Sequence, residues 1–505
     1  MAARMTWRQR AAARIARMTG LRVYQTAQDT RFRQSAGMAG GSSANGEVTA
    51  GAQRAAWNAR DAVRNDAFAR RMVDIWAANA VGTGVTCAWD DAARDAAWRR
   101  WAATTACDAE GKKTLAAIEA LVMRAVVTDG EAIVRLIPGP PTERNPVGLT
   151  LQVLEADHLD RLKTGIFDGA AVMQGVEIDP ERGRPVAYWL LPRHPGETWP
   201  LLPSLSQSPS VRVPAEFVLH VYRQERPGQV RGISWLTPVL PVLRDLSDYE
   251  AALLMKAKIE ACMSAIVTDN GEETLTPAEG RVTDAAGNVI ETFEPGMIIY
   301  RKGAGEIEVV NPSGGGSHLQ FARRALERAA VGGGLTYDQV SGDLTGANYS
   351  SLRAGKIEFR ALNGQVQWTI LLPQLCAPVA EAFDRAGAMA GLWRVGGGFT
   401  HTPEAPEVVD PLKDITAIIM QIRAGLLSPQ DAAAMLGWSY AEVIAKIAEA
   451  DAMRDAAGVV VDSDPRRLAK SGTAHDAAQV AAVEIAATGA AMPQAPQPTE
   501  PAPAE

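Results

Sequence analysis

An α+β fold is what this sequence predicts, and three observations predict it. From Val242 to Val267 there is neither Gly nor Pro, and Leu, Ala, Met, Lys and Glu dominate, so one long helix is expected there. Between Leu149 and Tyr222 the pattern changes to short alternating runs, LTLQVLEADHL, VMQGVEID, RPVAYWLLP and FVLHVYR, with turn residues between them. These read as a small antiparallel sheet. Before and after this block, apolar residues recur at helical spacing, first in Trp57, Val63, Phe68, Met72 and Trp76, later in Ile415, Ile418, Ile419, Ile422 and Leu426.

Taken in order, the chain opens on a basic arm. MAARMTWRQRAAARIARMTGLR holds six arginines, and no acid precedes Asp29. It lacks the apolar core of a secretory signal, and the expectation is a solvated arm that orders against a neighbour. Residues 35–53 are small and weakly charged and read as a flexible linker. Helical spacing from Ala55 to Ala80 stops at Gly82 and Gly84. Trp98 and Trp101, with Trp89, mark a second helix, and Lys113 to Thr128 a third. Asp129-Gly130 then turns the chain into the strand EAIVRLIP.

After the sheet, Pro227-Gly228 and Gly232 make a turn, and Thr237-Pro238 is a helix start, with Thr as cap and Pro where a missing N–H costs little. At ~1.5 Å per residue the following run is a rod of roughly 40 Å. Leu243, Leu246 and Leu253 lie near one face; Arg244, Asp245, Asp248, Lys256, Lys258 and Glu260 occupy much of the rest. Such a helix either crosses a globular core or packs against copies of itself in a ring. A β-patch, ETFEPGMIIYRKGAGEIEVVNP, follows, and HLQFARRALERAAV resumes helix. GDLTGANYSSLRAGKIEF reads as a loop ending in a Ser-capped helix. From Asp410 two helices alternate around Gly425 and a Ser428-Pro429 cap, with Ile415, Ile418, Ile419, Ile422 and Leu426 as a buried face and Met435 and Trp438 as packing residues. The Ala/Pro/Gln-rich end is expected to be disordered.

Composition narrows the function. A net charge of −7 and a pI near 5.6 argue against a broad basic surface that grips nucleic acid. They leave room for a channel past which DNA slides. Cys87, Cys107, Cys262 and Cys376 form no CxxC pair and read as isolated thiols. No apolar run is long enough to span a membrane. Gly355-Lys356 is followed by Ile357, so the phosphate-cradling G-x-x-x-x-G-K-[ST] is absent, as are GxSxG and HExxH. Glu155, Asp157 and His158 bring acids and an imidazole together, but match no metal spacing.

The stretch RPGQVRG, its tryptophan-proline turn and the helix DLSDYEAALLMKAKIEA resemble the lambda-type family of tailed-bacteriophage portal proteins. Further likeness lies in Arg60, Arg64, Asn65, Gly82 and Gly84, and in the hairpin GVEIDPERGRPVAYWLLPRHPG. It continues in Ser341, Gly342, Asp343, Thr345, Asn348, Tyr349, Ser350, Ser351 and Arg353, and in the DPLKD start at Asp410. The set is collinear over residues 55 to 455. It implies a wing at 55–235 behind the arm and linker of 1–54, a first stem helix at 236–267 and a clip at 268–316. A second stem helix at 317–334, a tunnel loop with channel helix and return to the wing at 335–405, a helical crown at 406–456 and a disordered tail at 457–505 complete it.

By that resemblance the chain is a portal subunit, not an enzyme, with no catalytic residue, cofactor or metal. It would form a dodecameric ring at one capsid vertex of the virion, assembled in the host cytoplasm, without a membrane. Double-stranded DNA would pass through it, driven by the terminase large subunit. The major capsid protein and scaffold, then a head–tail adaptor, would be its other partners. The tunnel loop would lie within 338–352, with Asp338, Ser341, Asp343, Thr345, Asn348, Tyr349 and Arg353 as channel residues. Arg226, Gln229, Arg231, Asp245, Asp248, Tyr249, Lys256 and Lys258 would shape the stem and the subunit contacts. Two other functions stay open: a ring-forming head–tail adaptor, which should be shorter and lack paired long helices, and a hydrolase or NTPase, for which no acid/base or nucleophile set is found.

Overall fold

The computed structural model describes residues 43–167, 169–197, 209–269, 297–302, 318–346, 348–405, 411–459 and 461. The basic arm, nearly all of the tail and most of the clip lie outside them. The chain divides into two compact units. The first gathers the residues up to Trp76 with Leu121–Ile137 and Leu151–Gly346; the second gathers Ala77–Ala120, Pro138–Thr150 and the residues from Ala347 onward.

Helix α1 (Ala44–Asn65) opens the first unit, its Ser43 cap accepting the Gly46 amide. The expected linker therefore ends at residue 43, and its small residues serve close packing. Ala44, Val48, Ala52, Ala56 and Ala59 are the buried stripe of α1, spaced so that one face approaches its neighbours closely. A short break at Asp66 leads into α2 (Ala67–Val81). Helix α4 (Leu115–Asp129) ends in the Asp129-Gly130 turn and is followed at once by β2 (Glu131–Pro138), as the sequence predicts.

The β-block forms two sheets where the sequence suggests one. Strands β3 (Leu149–Leu154), β2 and β9 (Val218–Tyr222) make the first, in that order, with β2 antiparallel to β9 from Glu131 opposite Tyr222 to Arg135 opposite Val218. Strands β4 (Gly165–Phe167), β5 (Ala170–Met173), β6 (Val176–Ile178), β7 (Pro185–Leu190) and β8 (Val211–Pro214) make the second, an antiparallel meander. Ile133, Leu159, Val176, Tyr188, Leu190, Val218 and Val230 join the two in one core. Alternation marks each strand but says nothing of which strands pair, which accounts for the difference.

Helix α5 (Leu240–Cys262) is the long helix. It stops five residues earlier than expected, and β10 (Met263–Asp269) pairs in parallel with β11 (Met297–Lys302). Ile266, Val267 and Thr268 are β-branched, and here a partner strand outweighs the absence of Gly and Pro. Helix α6 (His318–Gly332) returns, buries Leu326, Ala329 and Ala330, and is followed by the short α7 (Tyr337–Ser341).

In the second unit β1 (Thr86–Trp89) pairs antiparallel with β12 (Phe399–Thr402), and α3 (Ala92–Ala103) supplies Trp98 and Trp101. These rings surround Phe383, with centroids 5.0 Å and 5.2 Å from it. The Arg94–Asp384 pair is buried beside them at 3.1 Å, with the guanidinium over Trp89 and Trp393. Helix α8 (Tyr349–Val366), a π-helical stretch (Gln367–Cys376) and α9 (Ala377–Met389) run on without a break. Pro373 sits inside the π-stretch. It has no N–H and would strike the carbonyl four residues back, and the wider turn relieves both demands. Asn348 rather than a serine caps α8, accepting the Ser351 amide at 2.9 Å while Ser351 accepts the Asn348 amide at 3.1 Å.

The last three helices, α10 (Pro411–Arg423), α11 (Pro429–Met435) and α12 (Tyr440–Ala457), correct another expectation. Ser428 caps α11 as predicted, accepting the Asp431 amide. The face expected to be buried is open, with Ile415, Ile419 and Leu426 at 42%, 44% and 80% exposure, and Met435 and Trp438 are exposed as well. Periodicity identifies the face that seeks a partner, and the described residues supply none.

Candidate functional site

The RPGQVRG turn is built onto the start of α1. The Asn45 side chain donates to the Gly228 carbonyl at 2.8 Å and accepts the Val230 amide at 2.9 Å. Arg226 pairs with Glu47 at 2.9 Å. Gln229 folds the turn on itself, accepting the Glu225 and Arg226 amides and donating to the Arg231 carbonyl. The Arg231 side chain is fully buried. Its Nε lies 2.8 Å from one Glu131 oxygen and 3.0 Å from the other, and its Nη1 donates to the Gln174 carbonyl at 2.8 Å.

The Glu131 carboxylate also receives the Gly232 amide at 2.9 Å and Arg161 and His220 at 3.0 Å each. Burial by itself would raise that carboxyl; Arg231 and His220 overcome it and hold it well below the ordinary range. Burial likewise lowers His220. Gly130 and Gly232 face each other so closely that a Cβ on either would strike the other's backbone or the Ile233 backbone. Gln229 and Arg231, expected among the subunit contacts, are thus enclosed within the protomer, where they aim the chain into α5.

Trp76 completes the base of the two long helices. Its ring meets Trp235 edge-on at 5.2 Å, and its Nε1 donates to the Gly333 carbonyl at 2.9 Å. One side chain so ties the entry to α5 to the exit from α6. Higher up, Tyr249 packs against Phe321 with ring centroids 4.5 Å apart, which joins α5 to α6 inside one protomer. Leu243 and Leu246 are buried, whereas Asp245, Asp248, Lys256 and Lys258 are exposed, together with Leu254 and Met255. A groove of about 550 Å³ runs between α1 and the first turns of α5, with Asp61 and Asp248 on its rim.

The segment expected to be one loop falls into two parts. Asp338 and Ser341 stand in α7, and Ser341 Oγ donates to the Tyr337 carbonyl and accepts the Asp343 amide. Asp343 Oδ1 accepts both the hydroxyl and the amide of Thr345, which lowers its carboxyl, the hydroxyl contributing most. Leu344 and Thr345 at the tip are exposed. Asn348, Tyr349 and Arg353 belong to the start of α8 in the second unit, where Arg353 pairs with Asp414 at 3.1 Å.

Glu155 and Asp157 gain a companion the sequence did not reveal. His194 brings Nε2 to 3.2 Å from Glu155 and 3.6 Å from Asp157, and the three ligating atoms lie within 4.8 Å of one another. That spacing would suit a cation, but Arg60 Nη1 already stands 2.6 Å from Asp157 and 3.1 Å from Glu155. The guanidinium supplies the positive charge, and Arg60 also bonds Asp129 through two nitrogens. Arg60 is therefore a structural link between α1, the Asp129-Gly130 turn and the sheet. Glu131 and Trp76 escaped the sequence reading as site residues. A carboxylate opening a strand of mostly apolar residues is the signal that could have found Glu131, since it demands a buried partner.

Among the described residues no helix is long and apolar enough to cross a membrane. The family profile described as phage portal protein, lambda family, matches residues 31–367. A probable portal protein of Halomonas phage phiHAP-1 is 27% identical over 422 residues, covering 78% of this chain and 80% of that one. Three solved structures are similar at low identity, each over 77% of this chain. One is from the virion of a native gene transfer agent particle (15% identity, 93% of that chain, TM-score 0.43). Another is from the neck of an empty particle computed with C6 symmetry (16%, 94%, 0.44), and the third from the neck of a native particle computed with C12 symmetry (16%, 93%, 0.40).

Proposed function

The chain belongs to the lambda family of phage portal proteins, a structural component of the capsid and not an enzyme, and we propose that it works as one subunit of a dodecameric ring at a capsid vertex. Double-stranded DNA passes through that ring, inward under the terminase large subunit during packaging and outward at ejection. The ring assembles in the host cytoplasm with the major capsid protein and scaffold, and later receives a head–tail adaptor.

The observation that carries this reading is apolar surface left without a partner among the described residues. Leu412, Ile415, Ile419 and Met420 on α10 and Ile444, Ile447 and Met453 on α12 all stand between 42% and 79% exposed. Leu412, Ile415 and Ile419 are spaced three and four residues apart and so share one face of α10, and an exposed apolar face marks an interaction surface. In a ring, each copy covers the face of the next. Leu254 and Met255, flanked by Asp245, Asp248, Lys256 and Lys258, extend the same logic to the stem, where the charges set register between copies.

For the channel, the exposed tip at Asp343–Thr345 is the segment proposed to meet DNA. Its one carboxylate is already engaged by Thr345, and residues 343–345 themselves include no Lys or Arg, which suits sliding over gripping. Negative-stain microscopy with light scattering on the purified chain tests the reading. Rings of about a dozen copies with a central hole are expected; a monomer that stays monomeric with capsid and scaffold proteins present would overturn it. For the channel tip, Asp343→Lys should slow packaging, and unchanged velocity would remove the assignment.

A further inference from the structure

We propose that the groove between α1 and α5 is a docking site for the basic stretch of this chain's own N-terminal arm, residues 1–22. The groove holds about 550 Å³, within the size range of sites that enclose a small ligand or a few side chains. Its floor is apolar, formed by Leu240 and by Leu243, which is 2% exposed. Three carboxylates, Asp61, Asp66 and Asp248, stand against one cation, Arg244. Asp66 is occupied in capping α2, its Oδ1 accepting the Phe68 and Ala69 amides at 2.8 Å. Asp61 and Asp248 are exposed, and Asp61 has the exposed Arg64 and Asn65 of its own helix beside it.

The arm supplies the complement. Its first 28 residues hold six arginines and no acid. Trp7, Ala11, Ile15 and Met18 recur at i, i+4, i+8 and i+11, an apolar stripe for the floor, with the arginines left for the rim. Reach permits the contact. The arm joins α1 at Ser43, and Asn58, the first groove residue along α1, is fourteen residues beyond Ala44, about 21 Å at the helical rise. The 21 residues between Arg22 and Ala44 extend to about 70 Å. Double-stranded DNA is the rival partner for the same arginines, and the test separates the two.

The experiment is limited trypsin digestion of the full chain, with cuts after Arg8, Arg10, Arg14 and Arg17 followed by intact mass. In the Asp61→Asn/Asp248→Asn chain these cuts should come roughly five- to tenfold faster, because cleavage follows the undocked population and two exposed ion pairs are lost. About 0.5 M salt should bring the unaltered chain to the same rate by screening. Equal rates in the two chains would overturn the proposal. So would equal acceleration in a Glu358→Gln/Glu381→Gln chain, which loses the same charge at residues that do not line the groove. If a DNA duplex protects the arm alike in both chains, and neither is protected without it, the arm belongs to nucleic acid and the proposal falls. Ring formation is read separately by light scattering on the same samples, so the portal reading and this one stand or fall independently.

Discussion

The turn that leads into α5 and the three C-terminal helices end in opposite states. Around Arg231, one carboxylate receives two guanidiniums, an imidazole and a backbone amide, and Glu131 and Arg231 are fully buried. In α10 and α12 no residue is buried at all, although α10 carries four isoleucines and a methionine. The first region is finished within one protomer. The second is left open among the described residues, as the proposed ring requires. Polar groups enclosed in a protomer have to be satisfied there, whereas an apolar face can wait for another chain at modest cost.

Arg231→Ala tests the closed side most severely. It leaves Glu131 buried with Arg161, His220 and the Gly232 amide, and a loss of about 3–5 kcal/mol in the unfolding free energy is expected from urea titration. A loss under about 1 kcal/mol would mean the network is not closed.

Glu119 sharpens the contrast through pH. It is buried in the second unit, accepting the Val85 amide at 3.0 Å beside Cys376, and burial raises its carboxyl to about 7. The folded chain therefore keeps a proton that the unfolded chain, near 4.5, has released. Stability should fall as pH rises from 4.5 towards 7 and level off above it, a change on the order of 3 kcal/mol. Glu119→Gln should remove that slope, with the difference between the two chains across pH 4–8 as the measurement. Parallel curves would refute it.

A smaller effect is expected at Trp76. Trp76→Phe keeps an aromatic edge against Trp235 but loses the bond to the Gly333 carbonyl, so about 1–2 kcal/mol should go. Proteolysis should then open the junction of α5 and α6 first. The smallest effect on the protomer belongs to the open side. Ile419→Glu should change protomer stability by less than about 0.5 kcal/mol while reducing assembly by light scattering. A strongly destabilised monomer would show that α10 is packed after all, and the comparison would collapse.

Much of the fold was legible because its signals are local. The Asp129-Gly130 turn, the Ser428 cap and the span of α6 all stand close to where residue types place them. The misreadings share one cause. Residues 43–53 looked like a linker because small residues suit both flexible chain and tight helix packing. The helix expected to reach Val267 stops at Cys262 because a strand 34 residues further on, from Met297, offers pairing. One sheet became two because alternation is silent on partners. At the site, the sequence marked Arg226–Gly232 as special but read its arginine as a surface for neighbours. Only the position of Glu131, a hundred residues earlier in the chain, shows that Arg231 faces inward.

What the sequence by itself determined is the kind of each element, the face each helix would rather hide, and the motifs that tie the chain to its family. Those are properties of neighbours along the chain, where spacing and backbone preference act directly. The tertiary structure decided which charge meets which, which strands pair, and which apolar faces the protomer covers. Those outcomes depend on groups brought together across long separations, and burial is a property of the assembled surroundings rather than of the residue.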